Sequence, residues 1–264
     1  MFGKIYQMRY LSGIVAGKSL ARTNITDPDS TLCVAYIAAF PIPEVQRGIN
    51  AFTLGCRSVF AACQVKVVWV GTWHSAEIET AAAHFFWQME RCDIITQHSD
   101  TTEPQLVYKA YGGSGIGYNS DMREIVGDSV LTAPMFNWGP IYEQFVQKSL
   151  TSTWRNESMD LWPGAAEGAV KLAPGFSPRV EPVTVQHVEQ EHAKLRAAYG
   201  DAAFHHIFCG PLTKRWAYAY ADGTSGPRAK ACGNPVWRCR LFTSGIMPRY
   251  HQHIPCRTSP AHHA

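Results

Sequence analysis

The sequence predicts an α/β fold with a parallel sheet and helices on both faces. Strand and helix signals alternate from Leu32 to Met122, at a spacing that suits right-handed crossovers. LCVAYIAAF (32–40) is a continuous apolar run, as expected of a strand covered on both faces, and VKVVWVGTW (65–73) reads as a second strand. No sustained heptad or fixed repeat competes with this pattern.

The first run is followed by a helix in PIPEVQRGINAFTLGCRSV, with Val45, Ile49 and Phe52 at helical spacing and Pro43 and Glu44 suited to a first turn. After the second run, Ser75 reads as an N-cap before the alanine-rich AEIETAAAHFFWQMER. CDIITQHS is a third strand, and TEPQLVYKAYGG a short helix closed by glycine. GIGYNSD reads as a fourth strand and SVLTAPMFNW as a fifth. Beyond Trp138, GPIYEQFVQKSLTSTW and VTVQHVEQEHAKLRAAYG read as helices, and AVKLAP (169–174) as a strand. KIYQMRYLSGIVAGK near the start is a further helix. From about Thr213 onward, periodicity is lost.

Composition narrows the function classes. The 264 residues are 46% hydrophobic and 17% charged, below the roughly 25% charge of ordinary domains but far from a disordered composition. No run of eighteen uncharged apolar residues suggests a spanning helix, and 1–20 lacks signal-peptide order. Residues 211–264 hold eight Lys or Arg against Asp222 alone, while the rest carries a slight acidic excess. That asymmetry does not describe a nucleic-acid-binding face.

The chemistry-bearing motifs mostly carry ordinary structural readings. Eight cysteines include no CxxC pair, and Cys33, Cys56 and Cys92 lie in apolar patterns where a free thiol behaves as a small buried hydrophobe. The glycines of GGSGIG (112–117) do not give GxGxxG, and they read as a turn before the fourth strand. No GxSxG is present, and the consecutive His98-Ser99-Asp100 cannot form a triad, because side chains alternate in extended backbone. The paired histidines at 205–206, 251–253 and 262–263 lack an acid or cysteine to complete a metal set. No metal, cofactor or enzymatic step is expected.

In parallel sheets, ligands bind beyond the carboxyl ends of the strands. That rule selects five loops: Phe40-Pro41-Ile42, Thr72-Trp73-His74, His98-Ser99-Asp100, Asn119-Ser120-Asp121 and Phe136-Asn137-Trp138. They are rich in aromatic rings and carry two acids. Phe40, Trp73, Asp100, Asp121, Asn137 and Trp138 are the candidate ligand contacts. Each has a structural alternative: the rings could pack the core, and Asp100 and Asp121 could cap the helices that follow them.

FPIPEVQRGINAFTLG (40–55), VKVVWVGTW, DIITQHSD (93–100), IGYNSDM (116–122), LTAP (131–134), NWGP (137–140) and HIFCGPLT (206–213) together resemble the basic membrane protein or PnrA-like family of bacterial ABC-transporter substrate-binding proteins. The resemblance implies a type I periplasmic-binding fold, in which two α/β lobes close over a purine nucleoside or related purine. It also implies a membrane permease as partner and a periplasmic or lipid-anchored location. Asp121 matches the family's ligand-binding acid, with Phe40 and Trp138 flanking the base. Phe136 stands where nucleoside-binding members often have lysine, which leaves nucleoside and free base as equal alternatives.

On that pattern the domains divide into a first-lobe helix and hinge (1–31), a second α/β lobe (32–128), a crossover with remaining first-lobe elements (129–212) and an irregular basic tail (213–264). Most of the first lobe and a leader would precede residue 1, and the tail replaces the family's usual end. A truncation with a shifted frame would account for both departures, so a non-functional product is one alternative and a nucleoside-processing enzyme another.

Overall fold

Five parallel strands form where the sequence alternates. The computed structural model describes residues 2–22, 32–151, 153, 161–198 and 202–208, together with strand segments 212–214 and 239–241. The sheet holds β1 (Cys33–Ala38), β2 (Gln64–Trp69), β3 (Ile94–His98), β4 (Ser114–Ile116) and β5 (Val130–Thr132), in the order β2-β1-β3-β4-β5. Each described pairing in it is parallel, so every strand ends at the same edge. This order places the topological switch point between β1 and β3.

Both central strands are buried along their full length, and their side chains divide by parity. Val34, Tyr36 and Ala38 face a core built with α1 (Tyr6–Arg22) and α2 (Pro43–Val59). Cys33, Ala35 and Ile37 face a second core with Ala83 and Phe86 of α3 (Ala76–Gln88) and Val107 and Tyr108 of α4 (Glu103–Ala110). Alternation across one strand thus accounts for helices on both faces. Ser75 is the N-cap of α3, its side chain accepting from the Ile78 amide at 3.4 Å.

Helix α1 meets α2 almost backbone to backbone. A Cβ on Gly55 would collide with the Tyr10 carbonyl oxygen, one on Gly13 with that of Phe52, and one on Gly17 would lie 2.5 Å from that of Cys56. Small residues are the means by which two helices come this close.

The segment 128–137 departs from the single fifth strand expected. β5 ends at Thr132, and β6 (Pro134–Phe136) leaves the sheet to pair antiparallel with β7 (Val170–Leu172). Proline at the start of β6 suits this, since it cannot donate into a central ladder. The glycine run also differs: Ser114–Ile116 is itself strand β4, and only Gly112, with φ +83°, makes the turn before it. Helices α5 (Arg123–Val126), α6 (Gly139–Leu150), α7 (Pro182–Ala197) and α8 (Ala202–Ile207) follow, with α7 and α8 packing beside α1. Most of the expected irregular tail lies outside the described residues, but β8 (Leu212–Lys214) and β9 (Cys239–Leu241) pair in parallel. No described helix is long and apolar enough to cross a membrane.

The cysteines require a correction. Cys33, Cys56 and Cys92 are buried, as expected, but not as free thiols: Cys33 is bonded to Cys92 and Cys56 to Cys63. The parallel register that sets Val34 opposite Ile94 brings Cys33 and Cys92 together across 59 residues of sequence. A residue-by-residue reading has no access to that neighbourhood.

Two outcomes follow. Gly55→Ala or Gly13→Ala should lower unfolding free energy by about 1–3 kcal/mol or more through overpacking, measured by denaturant titration; a neutral result would contradict the close approach. Non-reducing peptide mapping should find the Cys33–Cys92 and Cys56–Cys63 pairs, and Cys33→Ser with Cys92→Ser should cost about 4 kcal/mol from the loop it opens.

Candidate functional site

Aromatic rings collect at the carboxyl edge, over the β1/β3 switch point. Backbone bonds extend the ladder past the strand ends, with the Ala39 amide donating to His98 O and the Val70 and Gly71 amides to Ala38 O and Ala39 O. They bring the three following loops side by side. Phe40 and Trp73 then lie with ring centroids 5.8 Å apart, Trp73 and His98 6.1 Å, and His98 and Tyr118 4.6 Å. Trp73 and Phe40 are partly open to solvent, whereas His98 is fully buried beneath them.

The Trp73 loop is held from below by Glu79. This buried carboxylate accepts from the Ser75 amide (3.2 Å), Ser99 Oγ (2.6 Å) and Thr101 Oγ1 (2.8 Å), tying α3 to the loop after β3. Asp100 sits in that loop with its side chain exposed, and its amide donates to Trp73 O at 2.8 Å. Partial burial and the neighbouring Glu79 raise its pKa above the usual aspartate value. Asp100 does not cap α4; Thr102 occupies that position.

Asp121 is not the N-cap of α5, a position that Met122 occupies; it pairs with Arg123 instead. Its carboxylate accepts from the Arg123 amide (3.2 Å), Nε (2.8 Å) and Nη2 (2.6 Å), while Arg123 Nη2 also donates to Pro174 O. The hydrogen bonds from Arg123 hold the Asp121 carboxyl below its usual range. Asn119 precedes it in the left-handed region at φ 57°, a conformation asparagine tolerates, and ties this loop to β6. There a second aromatic group forms, with Phe136 and Trp138 stacked at 4.9 Å and Tyr142 and Phe2 beside them. Asn137 fastens this turn, its Nδ2 donating to Gly168 O and its amide to Ala169 O.

Beneath the first group lies a polar cluster that the sequence did not single out. Arg9 of α1 is fully buried, with its guanidinium over the Tyr118 ring at 4.5 Å and the Tyr36 ring at 5.5 Å, and Nη1 3.4 Å from Thr96 Oγ1. Tyr36 Oη lies 3.3 Å from His98 Nδ1, and His98 Nε2 lies 3.1 Å from Glu44 Oε1. That last pair is within ion-pair distance without the alignment of a hydrogen bond. Burial, with Arg9 nearby, pushes the His98 pKa down to about 4, so the imidazole is neutral at pH 7. Burial also lifts the Tyr36 phenol to about 12. For Glu44 burial acts upward, but His98, Arg9 and Arg47 outweigh it and keep the carboxyl below its usual value.

Two signals could have found these residues. His98 shares strand parity with Thr96, which points it at α2, whereas Asp100 lies past the strand in an exposed loop. Arg9 is a charged residue inside a helix that is buried almost all round.

The sequence matches the family described as "ABC transporter substrate-binding protein PnrA-like" over residues 1–199. The chain belongs to that family. A "Purine-binding protein" of Brucella abortus is 37% identical over 92% of this chain and 63% of its own length. A "Putative ABC transporter glucose-binding protein TsgA13" of Haloferax volcanii is 34% identical over 64% of this chain and 40% of its own. The chain thus spans less than two thirds of each of these relatives. A crystal structure of an ABC transporter solute-binding protein from Aeropyrum pernix K1 shares the fold, with a TM-score of 0.61 at 12% identity over 74% of this chain and 63% of that one.

The buried His98 gives this edge a pH signature. Its pKa lies near 4 folded and 6.5 unfolded, so the unfolded chain binds more protons between those values. Stability should therefore fall as pH drops from about 6.5 to 4, by on the order of 3 kcal/mol from this residue. Denaturant melts at pH 7 and 4.5 should show the loss in the native protein and a smaller one in His98→Gln; equal slopes would refute the assignment.

Proposed function

We propose that the protein is the solute-binding component of an ABC importer, capturing a purine base or nucleoside and delivering it to a membrane permease. The observation that supports it best is the ring group at the β1/β3 switch point. Phe40 and Trp73 present partly open aromatic faces there, beside the polar Glu44. A flat heteroaromatic ligand gains roughly 1–3 kcal/mol for each base–aromatic stack. The similarity to the Brucella purine-binding protein favours the same ligand class.

In this reading Phe40, Trp73 and Trp138 flank the base, while Asp100, Asp121 and Asn137 offer polar contacts from the neighbouring loops. Asp121 would exchange its bonds to Arg123 for a ligand hydroxyl, or hold Arg123 toward the ligand. Residues 32–128 serve as the ligand-facing lobe and 129–212 as the crossover from it, so capture proceeds by closure about that crossover. The two buried disulfides favour a protein that folds outside the reducing cytoplasm, as a periplasmic or membrane-anchored receptor does.

Isothermal titration with adenine, guanosine, inosine and hypoxanthine should give heat with at least one purine and none with glucose. Phe40→Ala or Trp73→Ala should weaken that purine by roughly tenfold each. Binding of glucose in place of every purine would overturn the proposal.

A further inference from the structure

The polar cluster beneath the aromatic rim contains groups that the fold itself does not satisfy. Among the described residues, Arg9 Nε and Nη2, Glu44 Oε1 and His98 Nε2 are buried without a hydrogen-bond partner. Buried guanidinium and carboxylate atoms are rarely left so, because each unmet group costs on the order of 1–3 kcal/mol or more. Glu44 Oε1 and His98 Nε2 face each other at 3.1 Å, so the wholly unmet donors of the cluster are Arg9 Nε and Nη2.

Glu44 is the member of the cluster that reaches solvent. It stands in the first turn of α2, directly after the Phe40-Pro41-Ile42 loop, and 12% of its side chain is exposed while His98 is wholly enclosed. From behind, the fully buried His98 directs Nε2 at Oε1 from 3.1 Å, and Arg9 packs on Tyr118 and Tyr36. Gly48, one turn further along α2, leaves room for this: a Cβ there would come within 3.2 Å of the imidazole. The carboxylate is thus placed at the switch-point crevice, beside the rings and backed by positive charge.

Resting on the purine reading above, we infer that Glu44 is a specificity-determining contact that accepts an N–H hydrogen bond from the edge of the bound base, with His98 and Arg9 as its positioning residues. An ionised carboxylate can only accept, so it selects ligands presenting an N–H donor and disfavours a bare lone pair. A base lying face on against Phe40 or Trp73, whose rings are tilted 57° to one another, turns its hydrogen-bonding edge toward the crevice floor. Sugars offer hydroxyls but no flat face for the rings, so both requirements are met together only by a heteroaromatic N–H ligand.

The test compares the native protein with Glu44→Gln, which keeps the shape and removes the charge. Titrated with the purine that the native protein binds, Glu44→Gln should lose roughly tenfold or more in affinity, since hydrogen bonds to charged groups are the stronger ones. Its thermal midpoint without ligand should change little. Affinity within twofold of the native value would overturn the inference and leave the purine reading standing. Absence of purine binding by the native protein would overturn both. If Glu44→Gln proves unstable, a crystal structure of the native protein with the purine decides. A ligand N–H donating to Glu44 supports the inference, and a Glu44 carboxylate beyond hydrogen-bond distance of the base overturns it.

Discussion

The contact on which the rest of the structure depends is the one between α1 and α2, whose backbones approach until no side chain fits between them at Gly13, Gly17 and Gly55. Such closeness lets two helices share one face of the sheet without leaving a void. It also fixes their relative position tightly, because a backbone carbonyl cannot yield as a flexible side chain can. With α1 held there, Arg9 is carried under Tyr36 and Tyr118, and α2 delivers Glu44 to His98. The polar cluster beneath the carboxyl edge of the sheet is therefore a consequence of helix packing some distance from it.

That floor combines unlike demands. A buried arginine with unmet donors is costly to hold, and a neutral buried histidine makes the fold sensitive to acid. Aromatic faces offset part of the cost, since Tyr118 and Tyr36 receive the guanidinium over their rings. Local departures from the most stable arrangement belong at sites of function, where the same groups must remain available. The disulfides Cys33–Cys92 and Cys56–Cys63 act in the opposite sense, pinning β1 to the loop before β3 and α2 to the start of β2. Both lie away from the carboxyl edge, so they brace the sheet without crossing the crevice.

Much of the architecture was legible because it depends on local pattern. The apolar run at 32–40 is a strand covered on both faces, the run at 65–73 is a strand but a half-buried one at the sheet edge, and Ser75 could be recognised as a cap from its place before an alanine-rich helix. The place of Phe40 and Trp73 at the carboxyl edge followed from a rule about strand ends, which needs only strand direction. The same rule placed Asp121 in its loop but did not give its bonds to Arg123, although the partner is only two residues away. Sequence proximity does not say how a side chain turns. The break after Thr132 was missed because an apolar segment reads as one strand whether or not its second half changes sheets.

By itself the sequence determined the order of strands and helices, the common direction of the strands and the loops that gather at their ends, since these follow from periodicity and crossover handedness. Its long motifs also determined the family. Only the tertiary structure decided which cysteines join, that Asp121 is paired with Arg123, and that Glu44 meets His98 while Arg9 packs on Tyr36 and Tyr118. Those relations link residues far apart along the chain, and they exist only after the sheet has set its register and α1 has closed on α2.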